Sequence, residues 1–125
     1  MKMTKMKTAE LSGAYLSLFV AKALGYKDCF INLQGDCVQA YTKNGITQYR
    51  EIRFDNKPDV VLKIMKDTKM FPMWDKYTEQ WYAEAGSRVV KAGFPFMIFY
   101  SWSLEIAVLR AFVYTRFGNN IEIDL

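Results

Sequence analysis

The sequence predicts an α+β fold: a small single domain in which an antiparallel or mixed sheet packs with about four helices. Three observations lead there. An apolar run with helical spacing lies near the N-terminus, short β-prone segments separated by turn signals fill the middle, and a second long apolar helix lies near the C-terminus. With 125 residues, half of them apolar and 16% aromatic, one domain with a sizeable core is expected.

Residues 1–7 read as a flexible extension, with the domain occupying residues 8–125. Ser12 is the expected N-cap of the first helix, with Leu11 before it as a staple. Leu16, Phe19, Val20 and Ala23 recur at helical spacing, and Gly25 ends the run. Three strands follow at about 28–33, 37–42 and 46–53. Asn44-Gly45 is the signal for a two-residue type I′ hairpin between the last two. Pro58 suits the first turn of a second helix, whose apolar face is Val60, Val61, Ile64 and Met65.

Trp74, Tyr77 and Trp81 fall at i, i+3 and i+7, which predicts a third helix running to Ala85 with Gly86 as its cap. SRVVKA and FPFMIFY then read as strands. A last helix opens at Ser103 and stops at Gly118, and the alternating IEIDL adds a final strand.

Composition excludes several chemistries. The chain has no histidine, which removes Ser-His and Cys-His nucleophile pairs and histidine metal ligation. Two cysteines make no disulfide framework and a weak zinc proposal. A three-residue turn near Gly35 would place Cys29 and Cys37 four residues apart along paired strands, and a two-residue turn would put them on opposite faces. Free thiols are expected on either geometry. No phosphate-binding glycine loop occurs. Catalytic residues, cofactors and metals are therefore not expected.

The formal charge is +4, but without Lys2, Lys5 and Lys7 the remaining 14 basic residues face 13 acidic ones. That balance is no nucleic-acid footprint. No apolar run is long enough for a membrane span. Lys22 interrupts the apolar run near the N-terminus and no small-residue cleavage site follows, so a cytoplasmic protein is expected.

Arg110 is the most informative residue. Its helix neighbours Ile106, Ala107, Val113 and Tyr114 are apolar, so its guanidinium needs a carboxylate, carbonyls, a ligand anion or an escape to water. Trp81 and Trp102 offer flat surfaces for a base or a partner's pocket. Arg88 and Lys91 follow Gly86 closely and, with Trp81, would set basic groups beside an aromatic one. Core packing and ordinary surface charge account for the same residues. The binding reading takes Trp81, Arg88, Lys91, Trp102 and Arg110 as the candidate site for a small anionic, nucleotide-like ligand. The rival reading is a protein–protein inhibitor or adaptor that uses the aromatics as anchors. A homo-oligomer would hide some of those aromatics.

Two segments carry a resemblance. KTAELSG (residues 7–13) is followed by VAKALG (20–25), and AVLRAFVYTRFGNNIEI closes the chain at 107–123. In this order the motifs resemble the NinX-like family of phage proteins of unknown function. YTEQW (77–81) is a looser third match, with glutamine where the family carries an acidic residue. The resemblance implies a phage accessory protein acting in the infected bacterial cytoplasm, by binding a host ligand or protein in a counter-defence role. It implies no known reaction.

Overall fold

The two ends of the chain meet. In the computed structural model, which describes residues 3–86 and 95–124, β1 (Met3–Lys7) pairs antiparallel with β8 (Asn120–Asp124). The N-terminal residues 3–7 are thus a strand rather than a flexible extension. The alternating tail offers them a paired edge, with Met6 opposite Ile121. A 3₁₀ turn at Thr8–Glu10 follows. Thr8 is fully buried, and its hydroxyl donates to the Gly118 carbonyl.

Helix α1 (Gly13–Ala23) begins after Ser12, as expected, although the Ser12 side chain makes no capping bond. It ends in a Schellman motif. The Tyr26 amide donates to Ala21 and the Gly25 amide to Lys22, with Gly25 at φ 85°. Strands β2 (Cys29–Ile31), β3 (Cys37–Lys43) and β4 (Ile46–Glu51) form one antiparallel sheet close to the predicted bounds. Asn44 and Gly45 take φ 53° and 76°, and Lys43 pairs with Ile46. That is the two-residue turn that the Asn-Gly pair predicts.

Both cysteines are free. The connection between β2 and β3 is longer than either turn considered, so Ile31 pairs with Cys37 and Cys29 with Gln39. The thiols are diagonal neighbours on one face, a separation of about 7–8 Å that exceeds disulfide reach. Burial pushes the Cys37 thiol up to about 11, with the neighbouring Cys29 adding to the shift. A thiol with a raised folded-state pKa stays protonated while the unfolded chain ionises, so stability falls as pH rises from about 9 to about 11. The urea midpoint will drop across that window, and Cys37→Val will lose much of the drop.

Helix α2 (Pro58–Thr68) starts at the predicted proline. The next segment departs from expectation. Residues 74–85 are not a helix. They form β5 (Met73–Asp75), a turn, and β6 (Gln80–Ala85). Trp74 and Trp81 lie directly opposite each other across this hairpin, with ring centroids 5.3 Å apart. Cross-strand pairing, not a helix face, sets their spacing. The Asp75 carboxylate accepts the Tyr77 amide at 2.9 Å, and Glu79 takes φ 55°, which together close the turn. The described residues therefore hold three α-helices rather than about four. The expected SRVVKA strand lies outside the described residues.

Strand β7 (Met97–Ser101) pairs with β6. Helix α3 (Leu104–Phe117) follows, with the Ser103 hydroxyl accepting the Ile106 amide at 3.3 Å. The order β5-β6-β7 makes a third antiparallel sheet. Helix α3 packs on one face of it and against α1 and α2. Small residues allow the close approach. Ala83 and Ala85 on β6 and Ala107 and Ala111 on α3 are all buried. Phe99 and Tyr114 fill the space between them, with rings 5.3 Å apart.

Candidate functional site

The structure gathers three of the five predicted site residues. Trp81 pairs with Ser101, Trp102 is the next residue along, and Arg110 donates from Nη1 to the Tyr100 carbonyl at 3.1 Å. Gly86 closes the other end of β6, five residues from Trp81, or about 16 Å at ~3.3 Å per strand residue. Arg88 and Lys91 lie outside the described residues. The two tryptophans differ. Trp81 is half-buried and packed against the core. Trp102 is 73% exposed.

The Arg110 guanidinium bridges two elements. Its Nε donates to the Leu11 carbonyl at 2.7 Å, just before α1, while Nη1 holds the end of β7. Of the partners open to it from sequence, it takes carbonyls. Desolvation lowers its pKa, but an arginine stays charged at neutral pH. Leu11 and Thr8 belong to the N-terminal motif, and Arg110 and Gly118 to the C-terminal one. These two segments, far apart in sequence, thus bond to each other.

The sheet β5-β6-β7 presents a different feature. Its register puts Trp81, Ala83, Ala85 and Phe99 on the face that α3 covers. Met73, Asp75, Tyr82, Glu84, Ile98 and Tyr100 fall on the other face. Met73, Ile98 and Tyr100 are exposed there, and the Tyr82 and Tyr100 rings sit 5.6 Å apart. Asp75, Tyr82, Glu84, Ile98 and Tyr100 line an open groove of about 540 Å³ with Trp74, Lys76 and Tyr77 from the β5-β6 hairpin. Tyr77 is 87% exposed. Sequence reasoning missed Tyr77 and Tyr82 because it wound 74–85 into a helix, and Tyr100, on an expected strand, because that left the strand without β6 as a neighbour. The signal was the period-two pattern of QWYAEA, in which Trp81, Ala83 and Ala85 alternate with polar or amphipathic neighbours.

Other concavities carry less chemistry. A cleft of about 680 Å³ lies where α2 and α3 end, lined by Thr68, Lys69, Glu84, Thr115 and Arg116. Two helix C-termini point their negative dipole ends at it. The Thr68 and Thr115 hydroxyls already donate to carbonyls of their own helices. Lys69 and Arg116 offset those dipoles, which leaves little pull on an anion. A smaller cleft of about 280 Å³ includes Lys22, Cys29 and Glu122. Burial, then the charge of Asp28, raises the Cys29 pKa, so this thiol is not activated. Among the described residues no group of three or more His, Cys, Asp or Glu could hold a metal ion, and no helix is long and apolar enough to cross a membrane.

No protein-family model matches this chain, and no curated protein matches it either.

Proposed function

We propose that this protein is a binding protein without chemistry of its own, which docks on a partner protein through the open face of β5-β6-β7. The observation that carries this reading is the row of Met73, Tyr82 and Tyr100 on the sheet face opposite α3, with Met73 and Tyr100 exposed and Tyr82 half-buried, extended by Ile98 and by the exposed Tyr77. A soluble domain gains nothing in stability from leaving such a row in water, and aromatic side chains are the usual anchors of interfaces. The resemblance of the chain ends to NinX-like phage proteins supports an accessory role in the cytoplasm of an infected bacterium, with a host protein as the target. A second copy of the chain on this face would be a homo-oligomer by the same physics.

A second reading keeps the small anionic, nucleotide-like ligand. Its support is the placement of exposed Trp102 within two residues of the carbonyl that Arg110 holds. Arg110 would then serve both the fold and the ligand. Native mass spectrometry of the protein isolated from bacterial cells separates the readings. Docking gives a stoichiometric protein complex. Sequestration gives a low-mass nucleotide-like species released on denaturation.

A further inference from the structure

The chemistry of the open groove narrows the partner. Trp74, Tyr77, Tyr82 and Tyr100 line it, with the acidic Asp75 and Glu84 and the basic Lys76. Asp75 accepts one backbone amide and has no ion-pair partner among the described residues. Aromatic faces and a carboxylate both attract cations and both disfavour anions. The groove already hosts one such contact. The Lys76 ammonium sits 5.3 Å from the Tyr77 ring centroid, within the ~6 Å range of a cation–π interaction. The shape points to a macromolecular occupant. A ligand site normally encloses most of its ligand, whereas this groove lies on a sheet face with Tyr77 and Tyr100 exposed. A small amine would remain largely hydrated there. A peptide segment brings its own apolar surface to cover Ile98 and, beside the groove, Met73.

We infer that the groove takes a Lys- or Arg-bearing segment of a partner protein, its cationic head held between the tyrosine rings and the Asp75 carboxylate. This rests on the docking reading above and adds the charge class of the partner. An amide-correlation NMR titration of the full chain with the peptide GRGRG tests it, with GEGEG as control. GRGRG is expected to shift the amides of Asp75, Tyr77, Tyr82 and Tyr100. Asp75→Asn is expected to weaken that binding about three- to fivefold, the size of an exposed charge pair, and added salt to weaken it further. Tyr77→Leu, at a side chain that is almost fully exposed, should weaken it without changing the fold. The inference is overturned if GRGRG shifts no amide of this face, if GEGEG shifts the same amides equally, or if Asp75→Asn and Tyr77→Leu bind as the parent does. A partner captured through Tyr82 and Tyr100 together with a silent GRGRG titration overturns the cationic class alone. Loss of both overturns the docking reading as well.

Discussion

Arg110→Ala will lower the unfolding free energy by about 3 kcal/mol, with no ligand present. Two carbonyls, of Leu11 and Tyr100, lose a charged donor, and a hydrogen bond to a charged group contributes about 1.5–3 kcal/mol. The Leu11 bond is the more shielded, since Leu11 is fully buried. The Tyr100 bond lies near solvent and water will replace part of it, which holds the total below the sum of two full bonds. For a chain of this size the melting temperature should fall by roughly 10 °C. Arg110→Lys will recover less than half of the loss, because one ammonium cannot reproduce a planar fork that reaches two separate carbonyls. Thermal unfolding of the three proteins checks this. An unchanged melting temperature for Arg110→Ala would return the residue to a purely ligand-binding role.

Phe99→Ala will cost about 3–5 kcal/mol, while Tyr100→Thr will cost no more than about 1 kcal/mol. The two residues are adjacent on β7 and face opposite ways. Phe99 is 1% exposed, lies opposite Ala83 and packs on Tyr114. Ala83 opposite it is too small to refill the cavity, and the Tyr114 ring is held by its hydroxyl bond to the Pro95 carbonyl. Tyr100 is 41% exposed and loses only its ring contact with Tyr82. Urea denaturation of both variants reads the contrast. Equal losses would mean that the β7 alternation, and with it the open face, is misassigned.

How much of this was legible in the sequence depends on what set each spacing. The α1 cap at Gly25, the Asn44-Gly45 turn, Pro58 at the start of α2 and the Ser103 cap are local instructions, and each lies where the residues place it. The Trp74, Tyr77, Trp81 spacing misled because a hairpin with a four-residue turn brings residues seven apart opposite each other. Seven is also two helical turns. Strand β1 was illegible because its pairing partner lies at the far end of the chain, and Lys-rich residues read alone suggest only solvation. The same limit split the candidate site. Trp81, Trp102 and Arg110 come together only through β6-β7 pairing and the Arg110 reach to Tyr100, neither of which leaves a local mark. The tyrosines of the open face depend in turn on reading 80–85 as a strand.

The most direct test of the docking face is to repeat the native mass spectrometry with Tyr82→Thr/Tyr100→Thr. Both changes lie on the side of the sheet opposite α3, and threonine keeps the strand preference. The account predicts a variant that melts within a few degrees of the parent and comes out of the cell without the protein partner that the parent carries. A variant equally stable that still carries the same partner would contradict it.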